Sequence, residues 1–380
     1  IEVYALGAED DTIRGGSIID RNLILLGERY HYAVPGRDAL SPNNAVISIQ
    51  SAHEGTTDAQ PKPLANLLFY SQFQGGLTKL HQVQTGAFAD TFNTFSVTQQ
   101  ITRYIMGRPR QLVTSSQPNM VLMSTDASDT GLYVFTFLDA PNQEERLFDS
   151  WSRWEWDPAL GTLIGMSESD AGVYVLTARE CADGWYAVID EFSRDSSAPD
   201  TPYLDSGTEY MDRGEWAEPV GGDKFAVLRA SHPRKLFGKP LDEAEDVVAL
   251  SGVEPEHLCI GVEYESFYEP TAPYPRDRQD NPLLAGRTIL TSMAFILQAS
   301  AGIRVSIAGR NGVFDRVILD EAGFRLNDPL AVLGAVPVLD RRVSCYVGKE
   351  IREHRLRVAS RTWTPLNIAT VEWGMQTFNR

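Results

Sequence analysis

Apolar residues in this chain come in short runs that alternate with period two and stop at Gly, Pro, Asn or Asp, and the 3.6-residue spacing of a helix is rare. That pattern restricts the fold, because period two places alternate side chains on opposite faces of a strand. A run opening with Asn recurs as Asn22-Leu23-Ile24-Leu25-Leu26, Asn66-Leu67-Leu68-Phe69-Tyr70 and Asn119-Met120-Val121-Leu122-Met123, about 44 and 53 residues apart. A second pair, Gly131-Leu132-Tyr133-Val134-Phe135 and Gly172-Val173-Tyr174-Val175-Leu176, is about 41 residues apart. Such periods suit four-stranded propeller blades. The fold expected is all-β, with β-propeller-like blades followed by a second antiparallel β domain.

Particular segments refine this. Asp183-Gly184, between Val173–Leu176 and Trp185–Ile189, predicts a tight hairpin, Gly supplying positive φ. Val97, Ile101, Tyr104 and Ile105, ended by Gly107 and Pro109, predict one short packing helix over 96–105. Beyond about Asp205 the connections become acidic and proline-rich. Leu258–Glu265 reads as a half-buried strand, with Glu263 and Glu265 on its wet face, and Ile303, Val305 and Ile307 alternate with Arg304 and Ser306. The stretch Glu269–Pro282 carries too many prolines for a central strand and reads as an exposed, semi-rigid loop. Within it Pro273, Tyr274, Arg276 and Arg278 are the candidate gate or subunit-contact residues, the two arginines suited to carboxylates of an adjacent copy.

The 380 residues, 43% hydrophobic and 22% charged, suffice for a sizeable core and more than one domain. Lys+Arg number 34 against 51 Asp+Glu, a net charge of -17, and such a surface repels phosphates, which argues against sequence-reading DNA binding. Cys181, Cys259 and Cys345 are far apart and odd in number, with no Cys-x-x-Cys pair, as expected of buried free thiols made in a reducing cytoplasm. No apolar stretch approaches the ~18 residues of a membrane span. The row opens at Ile1 without a signal-peptide succession and reads as excised from a longer chain.

Catalytic signatures fail. There is no phosphate-binding Gly-x-x-x-x-Gly-Lys-Ser/Thr loop, no Gly-x-Ser-x-Gly elbow and no His-Glu-x-x-His helix. Asp126–Gly131 faintly resembles the start of a calcium loop, but Phe137 stands where the bidentate acid would fall, so a β-turn is expected. His31, His53, His81, His232, His257 and His354 are scattered, and no metal or cofactor is expected. The cluster Trp151-Ser152-Arg153-Trp154-Glu155-Trp156-Asp157 has the ingredients of a sugar-cleaving platform. Its alternation of Trp with Arg and Glu instead predicts a strand with Trp154 in a core, where truncation to Ala would cost about 3 to 5 kcal/mol.

Several of these segments, in order, resemble the tail tubular protein B or nozzle proteins of short-tailed bacteriophages. The likeness lies in Gly131–Leu138 followed by Ser150–Trp156, in Gly286-Arg287 opening a long strand up to Gly302, and in Thr364-Pro365-Leu366-Asn367-Ile368 with Trp373-Gly374. It implies the distal, C-terminal half of such a protein: residues 1–205 a propeller-like domain, 206–360 a β-rich nozzle tip, and 361–380 a strand returning to brace the blades. It also implies a structural virion protein and no enzyme, working as a homo-hexamer that meets the tail adaptor protein and tail fibres, reaches the host cell envelope, and lets double-stranded DNA pass without sequence-specific binding. A host-receptor adhesin and a glycan-degrading tail protein are the alternatives.

Overall fold

The computed structural model describes residues 11–19, 21–34, 36, 48–52, 56–85, 92–139, 146–169, 172–192, 203–209, 214–228, 238–243, 257–271, 287–309, 312–321, 338–360 and 363–378. The chain divides into two units, Ile1–Arg194 with Ala217–Val220, and Asp195–Trp216 with Gly221–Arg380. Every regular element described is a strand or a 3-10 turn.

The first unit is a series of up-and-down antiparallel meanders. The first sheet holds β1 (Ile13–Ile19), β2 (Asn22–Gly27), β3 (Tyr30–Val34) and β4 (Ser48–Ala52). The second holds β5 (Lys62–Leu64), β6 (Leu67–Gln74), β7 (Leu77–Thr85) and β8 (Phe92–Ser96). The third holds β9 (Pro109–Ser116), β10 (Asn119–Thr125), β11 (Gly131–Asp139) and β12 (Arg146–Glu155). The fourth has β13 (Thr162–Glu168), β14 (Val173–Cys181) and β15 (Gly184–Glu191). The three Asn-led runs all fall at the second strand of their sheets, so their recurrence is the structural repeat itself. The Gly-led pair is not: Gly131 opens the third strand of one sheet and Gly172 precedes the second strand of the next. Two buried strands of similar composition look alike in sequence wherever they stand in the meander.

Consecutive sheets stack face to face, which explains why the runs are apolar at adjacent positions as well as alternate ones. On the third sheet Val121, Met123, Tyr133 and Phe135 point towards Leu64, Phe69 and Leu80 of the second. Their neighbours Met120, Leu122, Leu132 and Val134 point the other way, onto Leu163, Met166, Val173 and Val175 of the fourth. The second sheet repeats this, with Leu68, Tyr70 and Val83 meeting Ile19, Ile24, Leu26 and Ala33 of the first. Each such side chain contributes roughly 1.5–3 kcal/mol by leaving water.

The first strands β1, β5, β9 and β13 follow one another side by side, joined by polar bonds. Thr114 donates to the Pro63 carbonyl at 3.2 Å, and the Met166 amide donates to Gln111 Oε1 at 2.9 Å. Asp58 accepts from both Arg14 at 3.0 Å and Arg108 at 2.9 Å.

Two local expectations change and a third holds. Only Gln99–Ile101 forms a 3-10 turn in the segment expected to be a helix, with bonds from Ile101 to Thr98 and Tyr104 to Ile101. Thr98 supplies no side-chain cap, and the Val97 amide is already bonded to Leu80 of the sheet. The β14–β15 hairpin exists, but Cys181 pairs with Gly184, so the turn is Ala182-Asp183 and the positive φ, 143°, falls on the first residue of β15. Asp126–Gly131 is a turn, in which Asp126 Oδ1 accepts the Arg108 amide at 2.7 Å.

The second unit begins with β16 (Asp205–Glu209), β17 (Lys224–Leu228), β18 (Gly238–Pro240) and β19 (Leu258–Val262), in one sheet of order β16-β19-β17-β18. Neighbours on both sides bury every residue of β19 and end it at Val262, so it is not the half-wet strand expected. Burial raises the pKa of Glu263 just beyond, helped by the nearby Asp223 charge.

Then come β20 (Phe267–Tyr268), β21 (Arg287–Ser300), β22 (Ile303–Ala308), β23 (Arg316–Glu321), β24 (Leu339–Glu350), β25 (Arg355–Ala359) and β26 (Asn367–Phe378). They form two sheets, β20-β25-β22-β23 and β24-β21-β26. Met293, Phe295 and Leu297 of β21, with Val343 and Val347 of β24, pack on Ile303, Val305 and Ile307 of β22 and Leu356 and Val358 of β25. The final strand pairs with β21 along its length, inside this unit. All three cysteines are buried, and none is in a disulfide.

Candidate functional site

Pro273, Tyr274, Arg276 and Arg278 lie outside the described residues. Their loop is described at its root, and there the structure places a charge cluster that the sequence reading passed over. Glu269 follows β20, and opposite it β25 presents Arg355 and Arg357, two residues apart and so on one face of the strand. Arg357 donates to Glu269 Oε1 through Nε at 3.0 Å and Nη2 at 2.7 Å, while Arg355 Nη2 donates to Oε2. The Arg357 guanidinium lies 4.1 Å from the ring centre of Phe267 and 4.4 Å from that of Phe314, so two aromatic faces hold it as well.

Burial alone would raise the Glu269 pKa, but the hydrogen bonds and charges of Arg357 and Arg355 outweigh it and leave the pKa lowered. A carboxylate so held stays ionised and has both oxygens occupied. It is an anchor and a poor proton donor. Below it, Ser360 and Ser266 exchange bonds, the Ser360 amide to the Ser266 carbonyl at 2.8 Å and the Ser266 amide to Ser360 Oγ at 3.2 Å, which closes the β20–β25 pair.

Beside the anchor is an open hollow of about 850 Å³, lined among others by Glu269, Pro270, Lys349, Arg352, His354 and Trp373. Its charges are mixed in sign. The arrangement fixes the root of the 269–282 segment on the sandwich, and the hollow's own carboxylates, Glu350 and Glu353, stand beside Lys349, Arg352 and His354. Arg355-Leu356-Arg357 was the available sequence signal: two arginines flanking an apolar residue in a strand point together at something acidic.

The tryptophan cluster is tied into the fold. Trp151 donates from its indole to the Val97 carbonyl at 3.1 Å, and Trp156 to the Gly161 carbonyl at 2.9 Å. Glu155 pairs with Arg153 at 2.5 Å, and Asp157 caps a 3-10 turn by accepting the Ala159 amide at 2.8 Å. Trp154 packs on the core between the third and fourth sheets and meets Phe192 edge to face at 5.1 Å, but only half-buried, because β12 is the outer strand of its sheet. Among the described residues no group of three or more His, Cys, Asp or Glu is placed to hold a metal ion.

A family described as bacteriophage nozzle protein matches the chain over residues 1–380. No curated protein matches it. Among solved structures, a glycoside hydrolase family 43 arabinoxylan arabinofuranohydrolase from Bacillus subtilis aligns over 95% of this chain and 88% of its own, with 9% identity and a TM-score of 0.22. An exo-β-1,3-galactanase from Phanerochaete chrysosporium aligns over 95% and 96%, with 9% identity and a TM-score of 0.18. At such scores the likeness carries no argument about activity.

Proposed function

The chain belongs to the bacteriophage nozzle protein family, a structural component of the virion tail, and from that premise we propose that six copies surround a conduit that retains the phage DNA and releases it at infection. The match over the whole chain is the observation that carries the reading. The charge supports it: at -17, the protein gives a passing duplex few phosphate contacts and little counterion release, so the DNA slides without sticking. The ordered motifs further suggest the distal part of a tail tubular protein B, assembled in the host cytoplasm, attached to the tail adaptor and fibres and turned towards the host envelope. The role is mechanical, without catalysis.

Within this proposal the Pro273–Arg278 segment is a gate or subunit contact, and the Glu269 anchor is its fixed end. Electron microscopy of the assembled chain tests the conduit: a hollow tube of six copies is expected, and a solid or monomeric particle would overturn it. Replacing 273–278 by Gly/Ser of equal length tests the loop. Unchanged assembly and unchanged DNA retention in filled particles would remove it from the mechanism.

A further inference from the structure

We propose that copies of this chain join edge to edge through the sandwich sheet of the second unit, β26 of one copy pairing with β24 of the next. This rests on the conduit reading and names the surface that would build it. The sheet has the order β24-β21-β26, so both outer strands have one edge that no described strand pairs with. Both are 12 residues long. An open edge of that length is a row of backbone donors and acceptors whose natural partner is another strand.

Soluble proteins usually blunt such edges with Pro, Lys or a covering segment. Asn367–Phe378 has no Pro, Lys or Arg and one charged residue, Glu372, and most of its residues are exposed. Among the described residues its only ladder is to β21, where eleven pairs are registered from Arg287↔Phe378 to Gln298↔Asn367.

The direction of the strands selects the occupant. Both β24 and β26 run antiparallel to β21, hence parallel to each other. A two-fold contact would set β26 against β26. Repeating the copy by rotation about a barrel axis from which the strands tilt instead sets β26 against the next β24, and that head-to-tail contact can close into a ring.

Charge agrees. Arg342 and Glu372 already reach each other at 2.7 Å across the exposed face of the sheet, over β21. In the ring the next copy's Arg342 arrives on the strand beside Glu372, so cation and anion alternate around the circle.

Three strands from each of six copies make roughly eighteen, the size at which a closed barrel leaves an aqueous channel. With ~4.8 Å between strands and a tilt near 40°, the backbone would stand about 18 Å from the axis. One face of this sheet is sealed by the sandwich core, so the other is left for the lumen. Its middle carries Ser292, Ala294, Ser344, Thr370 and Gly374, with the exposed Tyr346 opposite Ser292 and Ile296 opposite Thr370.

Cysteine pairs on the exposed face test the contact. Within one copy Glu372 and Ser344 both oppose Ala294, so two strand spacings, about 10 Å, separate them. That is beyond disulfide reach, about 7 Å between Cα atoms. The full chain carrying Glu372→Cys with Ser344→Cys, and the same pairing scanned through Thr370→Cys and Tyr346→Cys, is oxidised and run without reductant beside the parent chain and each single variant. A covalent ladder of multimers from a double variant, with none from the parent or the singles, is the expected result. Dimers from Glu372→Cys or Thr370→Cys alone would mean two-fold pairing of β26 and overturn the ring. Tubes seen by electron microscopy in samples that never cross-link would overturn the edge contact and leave the conduit standing, whereas a chain that stays monomeric at every concentration removes both.

Discussion

Arg179 of β14 reaches diagonally along the β14–β15 hairpin to Asp190, Nη2 to Oδ2 at 2.8 Å, with the guanidinium fully buried and its partner at the edge of solvent. The same side chain donates from Nε to the Leu160 carbonyl at 3.2 Å and from Nη1 to the Ala217 carbonyl at 3.1 Å. It therefore ties the segment 217–220 to the first unit, alongside the Val220 amide bonded to the Glu180 carbonyl and the bridge between Cys181 and Pro219.

Arg179→Met should be costly even though Met fills much of the same space. Two carbonyls lose a donor, at about 1–3 kcal/mol each where they stay dry. A fall of roughly 2–4 kcal/mol in unfolding free energy is expected. Chemical denaturation checks it, and an unchanged midpoint would mean that water replaces the guanidinium freely.

Trp154→Ala is expected to cost less than full burial would imply. The indole keeps its contact with Phe192 and the core between two sheets, but one edge is wet. We expect about 2 kcal/mol, below the 3–5 kcal/mol of a buried Trp. Thermal unfolding of the variant, compared with Trp151→Ala on the opposite face of β12, gives the measurement.

The sequence was most legible where one signal had one cause. The Asn-led runs mark the second strand of three successive sheets because each is an inner strand of its meander with at least one face in a core. The hairpin at Gly184 was one residue out, since Asp-Gly fits either a turn or a turn followed by a glycine in the strand. The helix over 96–105 was misread because its apolar residues serve different contacts: Ile105 is buried in the core, whereas Tyr104 meets Tyr133 edge to face at the surface. The Glu269 cluster was illegible for a simpler reason. Its arginines stand 86 and 88 residues away in the chain, and only the pairing of β20 with β25 brings them together.

Gly161 ends the 3-10 turn Pro158–Leu160 with φ 95°, and a Cβ there would lie 2.2 Å from the Ala178 carbonyl oxygen. Both the conformation and the space exclude a side chain. Gly161→Ala should cost about 2–4 kcal/mol, through strain and displacement of β13 from β14. Amide exchange should show protection lost first at Leu163, whose amide bonds to Asp129; uniform loss across the unit would point to global destabilisation instead.

The Glu269 anchor predicts an acid-sensitive loop root. Its folded pKa lies below the ordinary value of 4.5, so the pairing with Arg355 and Arg357 contributes fully above that value and is lost as pH falls through the lower, folded one. Nothing should change between neutral pH and about 5, where the carboxyl is ionised in both states. Below 4.5, amides of β20 and β25 should lose exchange protection earlier than those of the Met293–Leu297 core. Glu269→Gln should show that loss already at neutral pH, because a neutral amide supplies one acceptor where two guanidiniums need a carboxylate. If the Gln variant keeps wild-type protection at pH 7, the cation–π contacts of Arg357 with Phe267 and Phe314 hold the root by themselves, and the carboxylate is incidental.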